Sequence, residues 1–174
     1  MVDLKIVVDH DKIEYNGPFD ANSMFRMIEN HLWERGYDKR MDKDFEVHTQ
    51  SGKFAEWQYT PWKKITDYIR YMVKVRVLLY NITKVDVKQD KRKNTIDNGK
   101  VVIYIDGYMD YDYDNYWEHH PMLFFFRMVF DRFVFKAYTE RFEQRLTHDI
   151  NTLHDSIEKF FNMHRNYTLI SRPA

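Results

Sequence analysis

Four residues in one short stretch have side chains suited to hydrolytic metal chemistry. They are Asp110, Asp112, His119 and His120, within YMDYDYDNYWEHHP (108–121). Carboxylate and imidazole ligands together suit zinc, manganese or iron, and such an ion would activate water. The spacing argues against a compact ligand set. With the two-residue period of a strand, Asp106, Asp110, Asp112 and Asp114 share one face, and alternate residues lie about 6.5–7 Å apart. Adjacent histidines on a helix point about 100° apart and rarely ligate one ion together. Asp9-His10-Asp11 would add an imidazole and two carboxylates only if the fold brings that stretch nearby. A plainer reading needs no ion. Arg70, Lys74 and Arg76 share one face of another expected strand, and antiparallel pairing would set that basic row against the acidic one. Glu118 and Pro121 then suit the first turn of a helix.

Other catalytic signatures are missing. There is no cysteine, no Gly-Xaa-Ser-Xaa-Gly elbow, no phosphate-cradling glycine loop and no dinucleotide fingerprint. The balance falls against an enzyme, and no cofactor is expected.

The stronger signal is apolar. MLFFFRMVFDRFVFKAY (122–138) has thirteen apolar or aromatic residues in seventeen. A helix hydrophobic nearly all round is either buried or meets something greasy. This one is too short and too charged for a transmembrane span. Phe124, Phe125, Phe126, Phe130 and Phe133 are therefore candidates for a ligand or partner surface. Trp57, Trp62, Tyr111 and Tyr113 join them as strand-borne aromatics. The function expected first is a non-catalytic binding protein. It would hold an apolar small molecule or a partner's hydrophobic segment between a concave sheet and helix 122–138. The second expectation is a peripheral adaptor at a membrane surface or in a complex, and the third is a metal-dependent hydrolase. Nucleic acid is disfavoured: Lys+Arg and Asp+Glu are both 27, and the basic cluster KQDKRKN (88–94) reads as a solvated loop.

The 174 residues suit one domain over 1–165 followed by a tail at 166–174. The start, MVDLKIVVDHDK, lacks the charged-then-apolar plan of a signal peptide, so a cytoplasmic protein is expected.

The elements that must position these residues follow from hydrophobic period and turn signals. A strand, or two short ones, is predicted across 3–15, with Asn16-Gly17-Pro18 as a turn. A helix over 21–35 takes Asp20 as N-cap and Gly36 as stop. Runs 45–50 and 53–60 form a hairpin about Ser51-Gly52. A strand over 65–80 is followed by 82–89, either a new strand or a continuation past a bulge. Residues 90–99 read as a polar loop and 100–114 as the last strand. A long helix over 119–163 would span roughly 60 Å, so a kink or break is expected. The class is α+β: a curved antiparallel sheet packed on a long C-terminal helix, with one helix after the first strand. This order of elements resembles the helix-grip architecture of START and Bet v 1-like proteins. That resemblance implies a curved sheet wrapped round the final helix, with a cavity for lipids or other apolar ligands.

Overall fold

The structure is a computed structural model describing residues 3–38, 41–49, 52–89, 92–111, 135–165 and 168–169. It is an α+β fold with every strand pair antiparallel. In chain order the elements are β1 (Asp3–Phe19), α1 (Ala21–Glu34), β2 (Met41–Thr49), β3 (Gly52–Tyr59), β4 (Trp62–Lys64), β5 (Ile69–Gln89), β6 (Arg92–Tyr111), α2 (Phe135–His164) and β7 (Thr168–Leu169).

The sheet is built on the long β5–β6 hairpin. Strand order is β1-β6-β5-β3-β2, with β4 and β7 also paired to β5. β6 pairs with β5 from Ile69 to Gln89, so β4, β3 and β7 must share its other side in succession. Alternation fixes the faces. Tyr71, Val73, Val75, Val77 and Leu79 of β5 are buried on one side, opposite Met109, Gly107, Ile105, Ile103 and Val101 of β6. Register shifts between Ile6 and Asp11 in β1, and between Tyr80 and Thr83 in β5, mark the irregularities that bend the sheet. His10 and Asn81 take positive φ at these two places, 51° and 52°.

Both helices cover that apolar face. Asp20 caps α1 by accepting hydrogen bonds from the N–H groups of Asn22 and Ser23, and Gly36 ends it at φ 80°. Met24, Ile28 and Leu32 recur every four residues and are buried. On α2 the buried stripe is Phe142, Leu146, Ile150, Leu153, Ile157 and Phe161. A Cβ built on Gly107 would run into Ile150 Cδ1, so the middle of α2 lies directly on β6 at Gly107. Aromatic rings fill the flanks: Tyr15 stacks on Phe161 at 4.4 Å, and Phe25 meets Trp57 at 4.8 Å. α2 is also tied to β1 through Lys5–Glu143 and Asp11–His154.

Several expectations are corrected. Asn16-Gly17-Pro18 is not a turn, because β1 stays paired to β6 as far as Phe19. Residues 92–99 are not a loop. They pair with β5 beyond the Asn81 bulge, and that ladder outweighs their polarity. The strand expected from 65 begins at Ile69, since Thr66 Oγ1 accepts hydrogen bonds from the N–H groups of Tyr68 and Ile69 and makes a turn. Thr168–Leu169, expected in a tail, pair with Val87 and Lys88. α2 runs unbroken for 30 residues, about 45 Å. The part of the expected long helix before Phe135 lies outside the described residues. Among the described residues no helix is long and apolar enough to cross a membrane.

Candidate functional site

Pro61 stops β3, and the chain resumes as the three-residue β4 on the same side of β5. The Ile65 and Thr66 N–H groups both donate to the Ile69 carbonyl and close the corner. α2 passes over this corner. Between them lies an open groove of about 600 Å3. Lys63, Lys64, Ile65 and Tyr71 line it from the sheet, and Arg141, Gln144, Arg145, His148 and Asp149 from α2. Positions 141, 145 and 149 are one turn apart, as are 144 and 148, so one helix face supplies the whole wall.

The charges in this groove do not balance. Asp149 is its one carboxylate, and it is already answered: Tyr37 donates its hydroxyl hydrogen at 3.0 Å, and Arg35 Nε lies 3.6 Å away. Burial, reinforced by Asp149, pushes the Tyr37 hydroxyl far above its ordinary pKa. Lys63 Nζ donates to the Arg35 carbonyl at 2.6 Å, at the C-terminal end of α1, and lies 5.5 Å from the Tyr37 ring. Lys64 bridges to the fully exposed Asp67. Arg145 lies over the Phe142 ring at 5.9 Å. Among the described residues neither Arg141, Arg145 nor His148 pairs with an acidic side chain. Arg141 and Arg145 thus line the groove without an acidic partner among the described residues, while Lys63, Lys64 and Asp149 are already engaged.

A second cluster stands on the opposite face of the sheet. The β1 bulge turns His10 toward β6, and the His10 N–H donates to Asp106 Oδ1 at 2.8 Å. Asp9, His10 and Asp106 each offer a ligand atom within 4.8 Å of the others, so these three could hold a metal ion. They also satisfy one another. The Asp9 hydrogen bond, with the charges of Asp106 and Asp9, raises the His10 imidazole above its usual range. Arg76, beside the cluster, stacks over Tyr104 at 5.2 Å.

The aromatic candidates separate. Trp57 is a core residue, only 5% exposed between Phe25 and Tyr59. Trp62 is half-buried with the Arg70 guanidinium 5.6 Å from its ring. Tyr111 is half-buried, 6.0 Å from Tyr68. Asp110 is buried and ion-paired with Arg70, its register partner on β5. Lys74 likewise stands opposite Asp106. Phe124, Phe125, Phe126, Phe130, Phe133, Tyr113, Asp112, His119 and His120 lie outside the described residues. The groove residues Arg141 and Arg145 read in sequence as part of an ordinary charged face; their only signal was a spacing of four without an intervening counter-charge at the same face.

Comparison with protein-family models, curated proteins and solved structures finds no match to this chain.

Proposed function

We propose that the chain is a non-catalytic binding protein. It holds an apolar-bodied ligand, or a hydrophobic segment of a partner, in the seam between the sheet and the C-terminal helix. The observation that carries this reading is the 600 Å3 groove between β4 and α2, with Ile65 and Tyr71 in its wall. The groove flanks the early turns of α2, and in sequence the apolar run 122–138 leads into α2. Its volume falls in the range of small-molecule sites. The pairing of Asp110 with Arg70 supports the non-catalytic half of the proposal.

Titration with straight-chain alcohols and acids of increasing length, followed by thermal unfolding, tests it. A saturable rise in unfolding temperature is expected, since ligand at a hundredfold excess over Kd adds about 2.7 kcal/mol to a native state that alone binds it. No shift at any chain length would remove the proposal. Flotation with lipid vesicles in preference to binding of the monomeric amphiphiles would favour a membrane-surface adaptor instead.

A further inference from the structure

We infer that Asp9, His10 and Asp106 form a mononuclear site for a divalent transition-metal ion, zinc being the ion its donors fit best. The site lies on the face of the sheet away from the groove and is independent of the binding reading above.

The register of β1 on β6 builds it. Val8 pairs with Gly107 and Asp11 with Ile105, so two residues, Asp9 and His10, stand opposite the single Asp106. In a regular strand neighbours point to opposite faces, and Asp9 and His10 would part. The bulge, with His10 at φ 51°, brings both side chains to Asp106. His10 Nδ1 contacts Asp9 Oδ1 and lies 3.6 Å from Asp106 Oδ1. All three ligand atoms lie within 4.8 Å of one another. Tetrahedral zinc, with bonds of about 2.0–2.2 Å, needs ligand atoms roughly 3.3 Å apart. Small rotations of Asp9 and His10 close the difference, since both side chains are about two-thirds exposed. Asp106 is the fixed ligand: its side chain is 10% exposed, and its Oδ1 accepts from the His10 N–H at 2.8 Å.

Charge and donor type select the ion. Two carboxylates converge here, and among the described residues their one ion-pair partner is the His10 imidazole when protonated. Lys74, the register partner of Asp106, makes no ion pair with it, and the nearby Arg76 lies over the Tyr104 ring. A divalent ion takes the place of that proton and sets two positive charges against two carboxylates. Calcium and magnesium prefer oxygen ligands throughout, whereas one imidazole nitrogen beside two carboxylates suits zinc. Three protein ligands leave the fourth position to solvent.

Calorimetric titration of the metal-stripped, untagged full chain with zinc, magnesium and calcium chloride tests the assignment, with thermal unfolding as a second readout. Zinc is expected to bind with a Kd on the order of micromolar and to raise the unfolding temperature when in excess. D9A and H10N should each weaken zinc about tenfold or more. Without metal both should unfold near the temperature of the parent, because Asp9 is exposed and asparagine tolerates the positive φ of position 10. D106N keeps an acceptor for the His10 N–H and should weaken zinc likewise. Absence of zinc binding would overturn the inference. Zinc held equally well by the parent, D9A and H10N would also overturn it, since other histidines would then be the ligands. Magnesium or calcium bound as tightly as zinc would overturn the choice of ion.

Discussion

The Tyr71 hydroxyl donates to the Phe142 carbonyl at 2.7 Å, a buried hydrogen bond from the centre of the sheet to the helix above it. Burial pushes the Tyr71 hydroxyl well above its ordinary pKa, so it remains a donor throughout the physiological range. The same tyrosine lines the groove. Replacing Tyr71 with Phe is expected to cost about 0.5–1.5 kcal/mol, since the Phe142 carbonyl sits within a helix and keeps access to its intrahelical donor. Urea unfolding checks the value; an unchanged midpoint would show that the bond contributes nothing.

Gly107 and Ile150 occupy complementary space. Gly107→Ala should overpack the junction and cost about 1–3 kcal/mol. Ile150→Val alone should cost about 0.5–1.5 kcal/mol through lost packing. Together the two should cost less than their sum, because valine lacks the Cδ1 that meets the new methyl group. A double-mutant cycle in urea measures this coupling, and simple additivity would contradict the contact.

The Arg70–Asp110 pair should respond unevenly to truncation. The Asp110 side chain is 2% exposed and that of Arg70 is 27% exposed. Arg70→Ala strands a buried carboxylate, at a cost on the order of 3 kcal/mol. Asp110→Ala leaves a guanidinium that reaches water and the Trp62 ring, at about 1–2 kcal/mol. Denaturant midpoints of the two variants give the order directly, and the reverse order would contradict it.

Two histidines on the helices set opposing pH limits. Burial lowers the His154 imidazole, but the Asp11 hydrogen bond and the charges of Asp11 and Glu158 outweigh it, and the net shift is upward from 6.5. Its stabilising contribution is therefore complete below about pH 6.5 and lost as pH rises through the folded value. His10 acts in the same direction. His31 is lowered, first by burial and then by Arg35, and its Nε2 has no hydrogen-bond partner among the described residues. Its contribution is present above about 6.5 and lost as pH falls through the lowered value. Unfolding midpoints measured across about pH 5 to 9 should flatten on the alkaline side in His154→Gln and on the acid side in His31→Gln. Unaltered profiles would contradict both assignments.

Much of this architecture was readable from residue pattern. Asp20 and Gly36 bounded α1, and hydrophobic period placed an antiparallel sheet ahead of a long C-terminal helix. The far end of the β5–β6 hairpin was not readable. Residues 92–99 have no consistent apolar alternation, and only their partners across the Asn81 bulge make them a strand. The burial of Trp57 depends on Phe25 arriving from α1, which no local pattern records. The groove stayed hidden for a related reason. Arg141 and Arg145 look like solvated surface until β4 stands opposite, and a three-residue strand is too short to show a period. The meeting of His10 with Asp106 required the register of the β1 bulge, which pairing decides rather than sequence.

The pairing of β1 with β6 also sets an order for biosynthesis. Phe19 is matched to Asp97 and Asp3 to Tyr111, so β1 leaves the ribosome well before β6, its partner in the sheet. The β5–β6 hairpin closes between Gln89 and Arg92 and forms locally, whereas β1 must close a loop containing α1 and four intervening strands. Leu4 and Ile6 remain exposed even in the finished fold. The nascent chain therefore carries β1 unpaired until β6 has been made, which makes that segment the weak point for cross-pairing between neighbouring chains.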